Sequence, residues 1–210
     1  MEATCNMAYN YVDWSIRKKP YPFLKKALDI FKSINGRVIV EVGTMRVLPE
    51  HDINDYSNEC CMEGHSSVIF AQNSNEFHTV DIDMPASRAT YNFLKKLTLQ
   101  NNWNVYNGDG IDFLKKFSSR IDLLFLDAWD IGTHQYAEKH LEAYLAAKDK
   151  LNDKHIILVD DTDINFTQEK GLHNDEESMG GKGSALIPYL LKDNYKVQFK
   201  GRQTCLTKNI

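Results

Sequence analysis

No apolar run in this chain approaches the roughly 18–20 residues needed to cross a bilayer. Strand-like runs such as Val38-Ile39-Val40 and Leu123-Leu124-Phe125-Leu126 are each stopped by an acid. The first fifteen residues hold no basic stretch leading into an apolar one, so the expected setting is a reducing cytoplasm, with no membrane partner. Cysteine is scarce, with four residues at Cys5, Cys60, Cys61 and Cys205. Adjacent cysteines bridge only with strain and the others are scattered, so free thiols are expected. A zinc site wants two spaced ligand pairs, which Cys60-Cys61 with His51 nearby does not supply. Positive charge is also short: 25 Lys and Arg against 29 Asp and Glu leave a formal net charge of −4. No overall field exists to hold a nucleic-acid backbone. Repeats, heptads and low-complexity tracts are absent too.

What remains is an ordinary globular composition, with 42% hydrophobic and 26% charged residues over 210 positions. That is long enough for one domain spanning 1–210 with a sizeable core. Short β-rich runs alternate with segments of helical period, the pattern of a parallel α/β sheet. The runs are Arg37–Val42, Phe77–Ile82, Trp103–Tyr106, Ile121–Leu126 and His155–Val159, nearly all apolar, as strands covered on both faces are. A helical extension over 1–35 precedes them, and helices follow the first, second and fourth. A polar loop over 162–183 then leads to a short Ser184-capped helix over Ala185–Lys192. The final runs, Tyr195–Phe199 and Gln203–Thr207, are joined so closely that they must be antiparallel. The expected fold is one doubly wound, mostly parallel seven-stranded sheet with an antiparallel C-terminal hairpin.

Ligands of such sheets sit at the carboxyl ends of the strands, and there every strand meets acids or glycine. The sequences are Glu41-Val42-Gly43-Thr44, Asp81-Ile82-Asp83, Gly108-Asp109-Gly110, Asp127-Ala128-Trp129-Asp130 and Asp160-Asp161. Each acid alone can be a helix cap or turn former. Five in succession need cations or donors to hold them together.

This order of motifs resembles the class I S-adenosylmethionine-dependent methyltransferases, from about Arg37 to the C-terminus. The resemblance implies a Rossmann-like methyltransferase fold and cofactor contacts at Glu41, Gly43, Thr44, Ser66, Asp81, Asp109 and Asp127. Asp81 would take the ribose hydroxyls and Asp109 the adenine amino group. The glycine-rich turn departs from the family, with Met45 and Arg46 where glycines are usual and an inserted loop over 46–63 before Gly64-His65-Ser66-Ser67 opens a helix. Without G-x-G-x-x-G at that helix, dinucleotide binding is disfavoured. Asp127, Asp160 and Asp161 resemble the metal triad of catechol-type and macrolide-sugar O-methyltransferases, and hard oxygen ligands suit Mg²⁺ or Mn²⁺. The same three acids can also cap loops. Asp130 stands where the catechol-type group carries a catalytic lysine, so the base falls to His134 or Asp130. His134 can equally just open the next helix. Gly180-Gly181-Lys182-Gly183-Ser184 reads as a flexible hinge, with Lys182 or Arg202 free to bind an anionic acceptor. The aromatic segment Tyr9–Trp14 with Tyr21 and Phe23 offers a homodimer contact, an acceptor cover or core.

The expectation is therefore an enzyme that moves a methyl group from S-adenosylmethionine to a hydroxyl on a small molecule, a sugar or phenol, with a divalent cation. Rival readings are metal-independent transfer to nitrogen, intramolecular chemistry on the cofactor, and a non-catalytic cofactor-binding module.

Overall fold

A computed structural model describes residues 18, 20–45, 65–97, 99–167, 171–175 and 177–210. Residues 46–63 with His51, Cys60 and Cys61, the Tyr9–Trp14 segment, Cys5 and Gly64 lie outside the described residues. Helix α1 (Tyr21–Ser33) leads into β1 (Val38–Val42), followed by α2 (Ser66–Asn73), β2 (Glu76–Asp81), α3 (Met84–Lys96) and β3 (Asn102–Asn107). Then come α4 (Gly110–Lys116), β4 (Ile121–Leu126), α5 (Tyr136–Ala147) and β5 (Leu151–Val159). A hairpin of β6 (Ile164–Thr167) and β7 (Gly171–Asn174) precedes α6 (Leu186–Lys192), β8 (Lys196–Phe199) and β9 (Thr204–Lys208).

Seven strands form one sheet in the order β3-β2-β1-β4-β5-β9-β8. The first five are parallel, and β9 joins β5 antiparallel with β8 outside it. The doubly wound sheet expected from the sequence is this sheet. Its central strands alternate between two cores, because successive side chains leave opposite faces of the pleat. Ile39, Leu123, Phe125, Ile156, Leu158 and Cys205 pack with Leu24, Ala27, Leu28 and Phe31 of α1 and Phe70 of α2. Val40, Leu124, Leu126, Ile157, Val159 and Leu206 pack with Leu114 of α4, Ala143 and Tyr144 of α5, and Leu186 and Leu190 of α6. The expected extension over 1–35 therefore ends in a helix that covers the sheet. Phe23 is core, 7% exposed and 6.0 Å ring to ring from Phe199.

Four local expectations need correction. β5 begins at Leu151, four residues before His155, because Leu151 pairs with Ile121 across an irregular register. Helix α4 went unread because it has only seven residues, too few for its apolar Ile111, Phe113 and Leu114 to show a helical period. The 162–183 loop holds the β6–β7 hairpin, which pairs Ile164 with Asn174 through Thr167 with Gly171. Helix α6 is entered through a 3₁₀ turn at Gly181–Gly183, and its cap position, Ala185, supplies no side-chain bond.

The second core contains a buried polar relay. His155 Nδ1 lies 2.5 Å from the Asn152 carbonyl, so that nitrogen carries the proton and Nε2 accepts. The Tyr195 hydroxyl donates to Nε2 across 2.6 Å and accepts from the Tyr144 hydroxyl at 3.0 Å. Burial holds the His155 imidazole below its ordinary range, in its neutral form. Tyr195→Phe should leave two buried groups without partners and lower the unfolding free energy by about 1–3 kcal/mol. Urea denaturation at neutral pH measures it, and an unchanged midpoint would show that the relay carries no net stability.

Candidate active site

The switch point of the sheet lies between β1 and β4, where strand order reverses. Beyond each strand the ladder continues for one residue, which fixes the rim. Gly43 N donates to Val80 O at 2.9 Å, Asp127 N to Val42 O at 2.8 Å, and Asp160 N to Leu126 O at 3.1 Å. Gly43 takes φ +95°, and a Cβ there would sit 2.7 Å from the Asp127 backbone. Only glycine allows β1 and β4 to end so close together.

A cavity of about 480 Å³ opens on this rim, within the size range of small-molecule sites. Gly43, Thr44, Asp81, Asp83, Asp109, Asp127, Trp129, Asp130, Thr133 and Lys139 are among its lining residues. The Asp81 carboxylate is aimed by two backbone donors, Thr44 N at 2.9 Å and Asp83 N at 2.8 Å on opposite oxygens. Asp109 caps α4, its Oδ1 accepting from Ile111 N and Asp112 N at 2.9 Å each. Trp129 holds a left-handed backbone, φ 48°, uncommon for a bulky residue. Its indole meets the edge of His140 at 5.3 Å. Burial, and then the charge of Lys182, push the His140 imidazole down to about 3.

Behind the cavity lies a buried charge cluster. Asp127, Asp160 and Asp161 each offer an oxygen within 4.8 Å of the others. Positive charge is already among them. Lys182, 1% exposed, places Nζ 2.6 Å from Asp127 Oδ1, 3.1 Å from Asp127 O and 3.3 Å from Asp161 Oδ2. Burial works against that ammonium, but Asp127, Asp161 and Asp160 outweigh it and hold it above its ordinary range. A guanidinium nitrogen of Arg202 lies 3.6 Å from Asp161 Oδ1 and 4.0 Å from Asp160 Oδ2. Gln203 Nε2 donates to Asp160 Oδ1 at 2.7 Å. Burial, and then Asp127 and Asp161, raise the Asp160 carboxyl well above the usual range. Asp127 Oδ1 is thus taken by an ammonium and Asp160 Oδ1 by an amide, and the ammonium and a guanidinium pair with the oxygens of Asp161. The residues present do not fit the ion.

Residues 61–162 match the family model described as a methyltransferase domain. Those residues are similar to that family, and the sheet order and the solved structures below give the chain the fold of class I methyltransferases. Solved structures share its fold. An O-methyltransferase from Bacillus cereus in complex with S-adenosylhomocysteine is 13% identical, with a TM-score of 0.61, covering 98% of this chain and 86% of that one. The O-methyltransferase TomG from Streptomyces achromogenes, involved in tomaymycin synthesis and solved with S-adenosylmethionine, is 15% identical at TM-score 0.58, covering 89% and 79%. A protein from Clostridium thermocellum, provisionally named an rRNA-methylase, is 13% identical at TM-score 0.56, covering 88% and 95%. None of the curated protein sequences matches the chain.

In this fold Gly43, Thr44, Asp81, Asp109, Asp127 and Asp130 meet at one cavity. Glu41 and Ser66 do not reach its lining. Glu41 is fully buried and accepts from Ser66 Oγ and Ser67 Oγ at 2.6 Å each, which fastens β1 to the first turn of α2. His134 lies on the exposed turn before α5, outside the lining. Lys182 is no hinge residue open to an anionic acceptor. Its ammonium donates to two oxygens of Asp127 and pairs with Asp161 at 3.3 Å. Lys139, the one cationic side chain lining the cavity among the described residues, went unread because a lysine on α5 reads as ordinary solvated surface.

Burial pushes the Glu41 carboxyl up to about 7 from 4.5, against the pull of Ser66 and Ser67. Between those values the folded chain binds a proton that the unfolded chain has lost. Stability from this group is full below about 4.5 and is lost as pH rises through about 7, by at most about 1.4 kcal/mol per pH unit. Glu41→Gln removes that loss. Unfolding free energies at pH 5 and pH 8 should differ from the wild-type pair by a gain for the variant at pH 8, and a parallel pH dependence would mean Glu41 titrates normally.

Proposed function

We propose that the domain transfers a methyl group from S-adenosylmethionine to a hydroxyl of a small molecule. The observation that carries the reading is the Asp81 carboxylate, held by two backbone amides at the wall of the rim cavity, so that its remaining lone pairs face an incoming diol. When bound, the cofactor supplies a methyl on a sulfonium, which the acceptor oxygen displaces in line. The chain's part is to bind, align and deprotonate. Asp81 takes the ribose hydroxyls, and Asp109, with one oxygen committed to the α4 cap, offers the other toward the adenine amino group. Gly43 and Thr44 carry the backbone past the cofactor's amino-acid part. Trp129 and Thr133 wall the acceptor side. Asp130 lines the cavity and is the group we assign to receive the acceptor proton. His134, outside the lining, is not. Divalent-ion assistance, part of the expectation from sequence, is set aside because of Lys182.

A small acceptor is favoured over a nucleic acid by the net charge of −4 and by a cavity wall with five acids against one lysine. A cytoplasmic location accords with this reading. No described helix is long and apolar enough to cross a membrane.

Calorimetry with S-adenosylhomocysteine tests the first step. Asp81→Ala should weaken binding by about 2–3 kcal/mol, since a charge-assisted hydrogen bond contributes about 1.5–3. Unchanged affinity removes the cofactor assignment. For the transfer itself, Asp130→Asn should lower turnover about 10²–10⁴-fold with cofactor affinity kept, while His134→Ala should leave both nearly unchanged. The reverse pattern would return the base to His134. Cofactor breakdown without any acceptor would favour intramolecular chemistry, and methyl transfer to RNA would overturn the small-molecule reading.

A further inference from the structure

We propose that Lys182 is the resident cation of the acidic rim, so that this domain binds no divalent ion there and works without one. The inference deepens the methyl-transfer reading above, since it names the cofactor requirement of the same site. Three carboxylates, Asp127, Asp160 and Asp161, face two cations, Lys182 and Arg202, and a fourth, Asp130, lies 4.0 Å from the same ammonium. A divalent ion added to it would have to share Asp127 Oδ1 with an ammonium only 2.6 Å away. It would lie about 2.0–2.1 Å from that oxygen, and two like charges would then compete for one carboxylate oxygen.

Neither cation is placed by chance. Gly181 has φ +51°, and a Cβ there would come within 2.0 Å of the Asp161 carbonyl oxygen. The backbone before Lys182 therefore lies directly on the turn that carries Asp161. Asp161 itself takes a left-handed backbone, φ 50°. This close approach leaves Lys182 1% exposed, its ammonium hydrogen-bonded twice to Asp127 and paired with Asp161. Arg202 and Gln203 enter from the chain before β9 and take up the oxygens of Asp160 and Asp161 that Lys182 does not reach. Lys182 acts as a positioning residue. It grips both the side chain and the carbonyl of Asp127, the residue that carries this fixed charge to the cavity wall.

Mn²⁺ binding followed by electron paramagnetic resonance reads this without any turnover. The wild-type chain should show no stoichiometric Mn²⁺, and its affinity for S-adenosylhomocysteine should be the same with EDTA as with Mg²⁺. Lys182→Ala removes the resident cation and should gain one bound Mn²⁺ per chain, lost again when Asp160→Asn is added. A Lys182→Ala chain that folds yet gains no Mn²⁺ overturns the assignment, because the acids would then not be a cation site at all. One Mn²⁺ per wild-type chain, lost in Asp160→Asn, overturns it equally. Should Lys182→Ala fail to fold, the wild-type titration alone decides. Methyl transfer is a separate readout: absent S-adenosylhomocysteine binding would end the transferase reading and leave the metal result standing.

Discussion

A lysine ammonium taken out of water into the sheet's carboxyl edge is the constraint on which the rest of the rim depends. An unpaired buried charge costs several kcal/mol, so Lys182 can stay only while its carboxylates stay. The carboxylates depend on it in turn: Asp127 and Asp161 end neighbouring strands, and without a cation they could not both remain ionised so close together. The interaction ties three separate stretches of chain into one unit. These are the end of β4, the turn after β5, and the 3₁₀ turn before α6. Breaking one partner would leave an uncompensated charge, which is far more destabilising than replacing the whole group by apolar side chains. Such a cluster is weak as a source of net stability. Its effect is to specify a single arrangement of the rim, and with it the wall of the cavity.

The first strand solves the same problem by a different route. Glu41 is as buried as Lys182, but its shown partners are two serine hydroxyls rather than a cation. Hydroxyl donors lower the cost of a carboxylate only in part, so its carboxyl moves up to about 7. His140, buried beneath Trp129, is pushed the other way, to about 3. Around one cavity the sheet thus holds an ammonium charged, a carboxyl poised near neutrality and an imidazole kept neutral. Burial is common to all three, and the partner each one meets decides the outcome.

The sheet was legible from the sequence because its signal is repeated. Five apolar runs alternate with helices, and the last two runs are too close in sequence to be anything but antiparallel. Ile121–Leu126 appears in the structure with the bounds its hydrophobic run suggests. Gly43, Thr44, Asp81, Asp109, Asp127 and Asp130 were legible as a group because strand ends must converge at the switch point. What the sequence hid was polar or long-range. The β6–β7 hairpin has only four residues per strand, too few for an apolar period to mark it within a polar stretch. Glu41 carries the motif of a cofactor contact, yet whether its side chain points to the cavity or to Ser66 depends on where α2 lands. Lys182 is the sharpest case. It lies 55 residues from Asp127 in sequence, in a glycine-rich stretch that reads as a flexible loop.

Those glycines carry the argument one step further. In an open turn glycine brings freedom, but at Gly181 it brings contact, since the missing Cβ is what lets the backbone touch the Asp161 carbonyl. A side chain there would push the turn outward, and Lys182 would move with it. The carboxylates of β4 and β5 would then face water or an ion instead of an ammonium. Whether an acidic rim of this kind is occupied by metal or by lysine is thus set by backbone packing in a loop far along the chain, as much as by the acids themselves. Two chains with the same three aspartates can differ in cation requirement through a single position that never touches the substrate. The acids describe a demand for positive charge, and the loop decides what meets it.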